Sequence, residues 1–370
     1  MAARPRTSSA LSGNTSRPWL QGSATVSSHA TSLPNPAPER SGRAGHHRER
    51  LRRATNWASV ALALGATYVC FGSSPAGTKA ALGSFPPLLI MGVRGCAAGA
   101  VLSAWALWTG AERPGRRRLA SSFLIGTLIL ALGAGVGTVG QQTVPSGVVG
   151  VLSATMPLLA ACLAYALFRE RLARRAMVGL AVGFAGVGLL LRPGSALDPL
   201  GVSLVIAAQV AWAFGAVLAP RLRLPADPRL AAGLELLGGG CVLLAAGAAS
   251  GQFSHLHLQA VSQASWLGLG WLVLTAVGGF SAYGFLVKRV PTSVSTTFSY
   301  VNPVVAVGLG WLLFSEPVTV RMLVATAVLI VGVFLIVSAE KPEPARHAHH
   351  PLTSGHGIGR GVYLVRQSSP

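Results

Sequence analysis

Apolar stretches of about 20 residues recur along the middle of this 370-residue chain. A helix of that length rises about 1.5 Å per residue and crosses the hydrocarbon core of a bilayer, which is about 30 Å thick. Only 11% of the residues are charged, against about 25% in ordinary soluble domains, which excludes a soluble globular protein. The pattern predicts an all-α integral membrane protein with ten transmembrane helices, at residues 56–77, 87–108, 119–140, 147–168, 176–191, 200–219, 230–249, 266–287, 294–314 and 321–337.

The charges predict how these spans are oriented. Thirty Lys and Arg residues against ten Asp and Glu give a formal net charge of +20, and the basic residues lie between apolar runs rather than in a soluble basic domain, so no nucleic acid is expected as a partner. With the N-terminus in the cytoplasm, the inner loops carry thirteen Lys and Arg residues and the outer loops three. Because basic residues favour cytoplasmic loops, both termini are predicted to be cytoplasmic.

Two polar segments flank the spans. Residues 1–55 contain no apolar run and are predicted to be a disordered basic cytoplasmic arm, and residues 339–370 a cytoplasmic polar tail. The four cysteines form no CxxC pair, and the chain has no HExxH, P-loop or nucleophile-elbow motif. We therefore expect no metal, no cofactor, no catalytic residue and no enzymatic activity. The excess of Arg over Lys, with abundant Ala and Gly, suggests a bacterial source.

An internal repeat organises the apolar region. Residues 144–191 align without a gap to residues 290–337, an offset of 146. Each unit then contributes five spans, and an odd number places the second unit upside down in the membrane. The sequence predicts two inverted five-helix repeats, residues 56–192 and 199–338, and many secondary transporters have this architecture, with the substrate site between the repeats.

Several motifs, in this order, resemble the EamA type of the drug/metabolite transporter superfamily. They are the first-span signature, the arginine of the second span, and the proline and terminal glutamate of the fourth and ninth spans; here these are Phe71, Gly72 and Lys79, then Arg94, then Pro157 with Glu170 and Pro303 with Glu316. The resemblance implies ten helices, cytoplasmic termini, a central cavity, and transport of a small metabolite or drug that is often driven by a proton gradient. It also implies a multi-pass protein of the bacterial cytoplasmic membrane.

Two charged residues lie well inside the predicted spans, where insertion costs about 2.5–3.5 kcal/mol and indicates function by default. Arg94 is a candidate for binding an anionic group of the substrate; the alternative is an arginine that reaches the outer headgroups. Glu235 is a candidate proton-coupling carboxylate; the alternative is an interfacial residue neutralised by Arg229. Because the repeats are inverted, we expect Arg94 in the outer half and Glu235 in the inner half.

A second group of candidates is polar, aromatic or helix-bending. Candidate substrate contacts are Tyr68, Gln209, Trp212 and Tyr300, although residues of these types in a span more often serve packing or anchor it at the interface. Asn302 is a further candidate, and its alternative is to satisfy the backbone loosened by Pro303. Pro157 and Pro303 could act as hinges or as static kinks.

The function that fits best is secondary active transport of a small polar or amphipathic metabolite or drug by alternating access, coupled to protons, with the lipid bilayer as the surrounding partner. Two alternatives stay open. One is a flippase for a lipid-like substrate, and the other is a non-transporting scaffold or sensor whose basic tails contact lipid or a cytoplasmic protein.

Overall fold

The computed structural model describes residues 41–170, 172–191, 197–254, 256 and 258–339, and the side chains from Trp57 onwards except those at 292 and 293. Contacts divide the chain into units 1–53 and 54–370, and the spans lie in the second unit. The described residues contain helices and no strands. The helices are α1 (Ser41–Gly72), α2 (Ser74–Ala81), α3 (Pro87–Trp108), α4 (Arg116–Gly126), α5 (Val136–Gly140), α6 (Ser146–Ser153), α7 (Met156–Phe168), α8 (Arg174–Leu190), α9 (Pro199–Leu218), α10 (Pro228–Ala249), α11 (Gln263–Val287), α12 (Thr292–Ser295), α13 (Phe298–Phe314) and α14 (Val320–Ala339).

Within the part of the chain that the structure describes, eight candidate membrane spans are long and apolar enough to cross a bilayer: Trp57–Ala81, Pro87–Trp108, Arg116–Gly140, Ser146–Phe168, Pro199–Arg221, Pro228–Ala249, Gln263–Val287 and Val320–Ala339. Helices α8 and α13 coincide with the other two predicted spans but have 17 residues each, about 26 Å of helix. A membrane protein built of helices is confirmed, and the number ten stays a prediction.

The predicted N-terminal arm is helical in part, and the outer residues of the arm and of the C-terminal tail lie outside the described residues. Helix α1 begins at Ser41, so residues 41–55, which the composition predicted to be disordered, are helical. Residues 1–40 of the predicted arm and 340–370 of the predicted tail lie outside the described residues.

Several spans are interrupted instead of being continuous helices. The first breaks between α1 and α2 at Ser73, and the fourth breaks between α6 and α7 at Ala154 and Thr155. Between α4 and α5, residues Thr127–Gly135 form a π-helix, a rare conformation that occurs often at functional sites. Such breaks in a membrane are tolerated where the loosened backbone lines a cavity or is buried in protein.

Glycines bring α3 and α10 into backbone contact. A Cβ added at Gly99 would lie 2.6 Å from the Leu237 amide nitrogen, and one added at Gly92 would lie 2.7 Å from the Leu244 side chain. These two pairs run in opposite directions along the chain, so α3 and α10 are antiparallel. In this register residue 101 of α3 is level with Glu235 of α10.

A second close pair consists of α8 and α14. A Cβ added at Gly179 would lie 2.7 Å from the Gly332 carbonyl oxygen, and one added at Gly332 would lie 2.5 Å from the Gly183 nitrogen. Small residues allow membrane helices to approach this closely. The residues that line the cavity described next come from other spans.

Candidate functional site

A cavity of about 450 Å³ lies between the spans of the unit 54–370. Predicted candidates meet there: the lining includes Arg94, Gln209, Trp212, Glu235 and Asn302, together with Phe71 and Gly72 of the first span. The breaks also meet there, since Ser74, Gly133 and Ala154 line the same cavity. The site is therefore formed by the interrupted segments of the spans as well as by regular helix.

Arg94 is a buried cation in this lining, with 7% of its surface exposed. Its Nη1 contacts the Met91 sulfur at 3.6 Å, and its Nε has no hydrogen-bond partner among the described residues. A guanidinium buried without a counter-ion is costly. An anionic ligand in the cavity would supply the missing partner.

Glu235 lines the cavity from α10. The guanidinium of Arg229, which could have neutralised it, instead bonds to Asp227 at 3.3 Å and to the Thr109 hydroxyl at 3.2 Å, and it lies 5.1 Å from the Trp105 ring centroid. No ion pair to Glu235 forms within the described part of the chain. The Glu235 carboxyl group therefore lines the cavity without a charged partner among the described residues.

Asp227 sits just outside the membrane-spanning segment as the N-cap of α10. Its Oδ1 accepts from the backbone N–H of Arg229 at 2.9 Å and of Leu230 at 3.3 Å, and Lys288 Nζ lies 3.7 Å from its Oδ2. Burial opposes the charged form, but hydrogen bonds from the Arg229 side chain and from both backbone groups, with the Arg229 charge, outweigh it and lower the pKa of the Asp227 carboxyl.

Other polar groups face the cavity at the breaks. Gln141, 3% exposed, donates from Nε2 to the Pro75 carbonyl at 2.6 Å, which holds the broken first span against the third. Asn302 Oδ1 has no partner among the described residues. The neighbouring Pro303 lacks an N–H and cannot bond the carbonyl of Ser299, another lining residue. These groups offer donors and acceptors to a ligand.

Aromatic rings cover one wall. Phe71 packs edge-on against Phe280 and Phe298, with centroid distances of 5.4 and 5.3 Å, and Tyr283 packs against Phe298 at 5.7 Å. All four residues line the cavity. Phe280 and Phe298 were not candidates from sequence, because an apolar aromatic residue in a span looks the same whether it faces lipid or a cavity.

Two predicted substrate contacts lie outside the lining. The Tyr68 hydroxyl bonds to Thr297 Oγ1 at 2.7 Å, so it connects two helices. The Tyr300 ring packs against Phe334, with centroids 6.2 Å apart. Both side chains contact neighbouring elements, and their roles as substrate contacts stay predictions.

The remaining motif residues take different positions. Pro157 falls in the first turn of α7, where its missing N–H breaks no helical bond, whereas Pro303 lies inside α13. Lys79 is in the last turn of α2. Glu170 pairs with Arg221, and Glu316 accepts hydrogen bonds from the start of α6. No group of three His, Cys, Asp or Glu residues that could hold a metal occurs among the described residues.

Comparison with known proteins assigns the family. The model of the EamA-like transporter family matches residues 57–192 and again residues 199–338. The chain belongs to the EamA-like transporter family. It is accordingly a membrane protein of a transporter family, with two copies of the family's domain.

Relatives with transporter names cover most of this EamA-family chain. The uncharacterized inner membrane transporter YedA of Escherichia coli K12 is 36% identical over 295 residues, which cover 78% of this chain and 94% of YedA. The uncharacterized transporter YvbV of Bacillus subtilis is 26% identical over 282 residues, 72% of this chain and 88% of YvbV. A solved crystal structure superposes with a TM-score of 0.53 at 20% identity, covering 75% of this chain and 96% of the other, which supports the fold alone.

Proposed function

We propose that this chain is a secondary active transporter that moves a small amphipathic metabolite or drug across the bacterial cytoplasmic membrane by alternating access. The observation that carries the proposal is Arg94, a buried guanidinium that lines the cavity and has no counter-ion among the described residues. Transporter-family membership and an inner membrane relative support the location and the class.

The proposal includes two inverted five-helix repeats with ten spans. Helices α8 and α13 would supply the fifth and ninth spans at 17 residues each, with local thinning of the bilayer. The match of one family domain to each half supports the repeat. The distribution of basic residues supports cytoplasmic termini.

Arg94 binds an anionic group of the substrate in this proposal. A carboxylate or phosphate would form charge-assisted hydrogen bonds with the fork of the guanidinium and supply the missing partner of Nε. The aromatic wall of Phe71, Phe280 and Phe298 would contact the apolar part. A substrate with both parts is amphipathic.

Glu235 exchanges protons with the cavity in this proposal. It lines the same cavity as Arg94 and forms no ion pair within the described part of the chain. Uptake of a proton would remove the negative charge in one state of the cycle, and release of that proton on the other side of the membrane would restore it, which couples substrate movement to a proton gradient.

A thermal-stability screen of the purified protein tests the binding part of the proposal. The panel contains aromatic and aliphatic carboxylates, amino acids, nucleosides, cationic drugs and lipids, each near saturation, where a specific ligand adds about 2.7 kcal/mol to the unfolding free energy at 100 times its Kd. A carboxylate that raises the Tm of the parent protein and has no effect on Arg94→Gln supports the proposal. Stabilisation by lipids alone would favour a flippase, and equal shifts in Arg94→Gln would contradict the role of Arg94.

A further inference from the structure

Three prolines leave backbone carbonyls without their helical donors. A proline has no N–H, so the carbonyl four residues before it loses its hydrogen-bond partner. Pro75 and Pro157 lie in the first turns of α2 and α7, directly after the breaks in the first and fourth spans, and Pro303 lies inside α13. The three carbonyls belong to residues that line the cavity, namely Phe71, Ser153 and Ser299.

The backbone at the two breaks does not replace the missing donors. The hydrogen bonds at the first break end on the carbonyls of Val69 and Ser73, and those at the break in the fourth span end on the carbonyls of Val151, Leu152 and Thr155. Neither freed carbonyl accepts one of these bonds. An unpaired carbonyl within a bilayer costs free energy, so it is kept where a polar ligand reaches it.

The first span meets α13 beside two of these carbonyls. A Cβ added at Gly72, the last residue of α1, would lie 2.7 Å from the Val305 side chain of α13. The rings of Phe71 and Phe298 pack edge-on with centroids 5.3 Å apart, and Ser299 directly follows Phe298. The freed carbonyls of the first and ninth spans therefore lie on two helices in direct contact.

The fourth span joins the same contact. A Cβ added at Gly150 of α6 would contact the Ala306 side chain of α13 and lie 4.0 Å from Pro75 Cγ. Helices α6 and α13 are antiparallel, so Ser153, one turn after Gly150, lies level with Pro303. The three interrupted segments thus meet at one place in the cavity.

A buried amide oxygen adds a fourth acceptor. Asn302 Oδ1 has no partner among the described residues, and Asn302 lies three residues after Ser299 on α13. Gln209 donates from Nε2 to the Ser153 hydroxyl, 3.5 Å away, rather than to a carbonyl. The four oxygens form a carbonyl cluster, which consists of the backbone oxygens of Phe71, Ser153 and Ser299 and of Oδ1 of Asn302. The cluster therefore presents acceptors to whatever occupies this part of the cavity.

We propose that the carbonyl cluster binds a monovalent metal cation. Carbonyl oxygens replace the hydration shell of such ions in channels, and interrupted helices supply them in transporters. The ligands are neutral, whereas calcium and magnesium sites are built with carboxylates. Arg94 and Glu235 line the same cavity with opposite charges, so the ion does not enter a site of net positive charge.

This inference goes beyond the proposed function, which requires no metal ion. It also differs from the metal sites that sequence motifs reveal. Those motifs consist of His, Cys, Asp and Glu side chains, whereas three of the four ligands here are backbone oxygens, which any residue carries. Only the prolines and the contacts between the interrupted spans distinguish these carbonyls from the others in the bundle.

Thermal unfolding of the purified full chain in detergent tests the site, with sodium as the probe. The Tm is measured in NaCl and in N-methylglucamine chloride at equal ionic strength and pH, without any substrate. Sodium should raise the Tm, and the rise should grow with concentration as binding to the folded state requires. Radioactive sodium retained by the protein measures the same binding directly. Equal Tm values in the two salts, with no sodium retained, would overturn the proposal.

Two variants of the cluster should weaken sodium binding without weakening the fold. Asn302→Leu keeps the approximate side-chain volume and removes the buried Oδ1, and Pro303→Ala restores an N–H that can bond to the Ser299 carbonyl. Each variant removes one ligand and should raise the apparent Kd for sodium about tenfold. In N-methylglucamine chloride the Tm of both should equal or exceed that of the parent, because an unpaired acceptor is removed or paired. A purely structural role of these residues would instead lower the Tm in both salts.

The matched control is Pro199→Ala. Pro199 is the first residue of α9, where an N–H would have no helical partner, so this variant should keep the Kd of the parent for sodium. A sodium-dependent rise in Tm that Asn302→Leu and Pro303→Ala retain in full would contradict the proposal. Because the proposed transport requires no metal ion, a failed sodium experiment leaves it intact. Sodium binding by a protein that no compound of the panel stabilises would contradict the proposed function alone.

Discussion

Arg94 and Glu235 face one cavity from the antiparallel helices α3 and α10 without forming an ion pair in the described part of the chain. Since Glu235 is level with residue 101, about seven residues or 10 Å of helix axis separate the two positions. Opposite charges at that separation in one cavity remain available to a ligand and to protons. The offset agrees with the expectation that each residue lies in a different half of the membrane.

The first prediction concerns the effect of Arg94 on the free energy of unfolding. The Arg94 guanidinium is buried without a counter-ion among the described residues. Arg94→Met should therefore abolish ligand-induced stabilisation. It should leave the unfolding free energy of the unliganded protein unchanged or raise it by up to about 2 kcal/mol. The matched variant Arg229→Met should lower the Tm, since it removes the pair with Asp227. Thermal unfolding in detergent measures both. Strong destabilisation by Arg94→Met would mean that Arg94 holds the fold rather than a ligand.

The second prediction concerns proton coupling. In proteoliposomes, a pH gradient should accelerate accumulation of a ligand identified by the screen in the parent protein. Glu235→Gln should exchange that ligand at equal rates with and without the gradient, because its side chain cannot take up a proton. Glu112→Gln is the matched control, since Glu112 is an exposed carboxylate paired with Arg118 at 3.5 Å in a loop. A gradient response retained by Glu235→Gln would assign the coupling to another group.

Much of the fold follows from the sequence, for physical reasons. Apolar runs must be helical in a bilayer, where unpaired backbone groups are costly, so α3 and α10 lie where the runs predicted them. The break at Ser73 and the π-helix at Thr127–Gly135 were not predicted. Hydropathy is the same for an intact and an interrupted span, and only contacts such as that of Gln141 with Pro75 stabilise the interruption.

The candidate site was predictable where it carries charge. Arg94 and Glu235 stand out because charge inside a span is rare, and both line the cavity. The positions of Tyr68 and Tyr300 could not be foreseen, since which face of a helix meets the cavity depends on its packing partners. Gln141 carried a usable signal, because it is an amide at the end of an apolar run, but it was not among the predicted candidates.

The third prediction concerns acid. The lowered pKa of the Asp227 carboxyl means that its charge stabilises the fold above the ordinary Asp value, and this contribution is lost as the pH falls through the lowered value. Asp227→Asn should therefore lower the unfolding free energy by up to about 1 kcal/mol near pH 7, and the difference between the parent and the variant should shrink as the pH falls below the ordinary Asp pKa of about 3.9. Tm measured across this range checks the convergence. Asp227→Ala, which also removes the N-cap, should stay below both at every pH.

The fourth prediction concerns the glycine contact of α3 with α10. A methyl group at Gly99 would lie 2.6 Å from the Leu237 nitrogen and from the Gly233 carbonyl oxygen, and backbone atoms cannot turn aside as a side chain can. Gly99→Ala should therefore separate the helices, lower the unfolding free energy by about 1–3 kcal/mol and displace both Arg94 and Glu235, so that ligand-induced stabilisation falls as well. The matched control is Gly188→Ala in α8, where an added Cβ meets no atom within 4 Å. There alanine should leave the Tm unchanged or raise it, because alanine is the better helix former. Equal Tm values for the two variants would show that α3 and α10 do not depend on this contact.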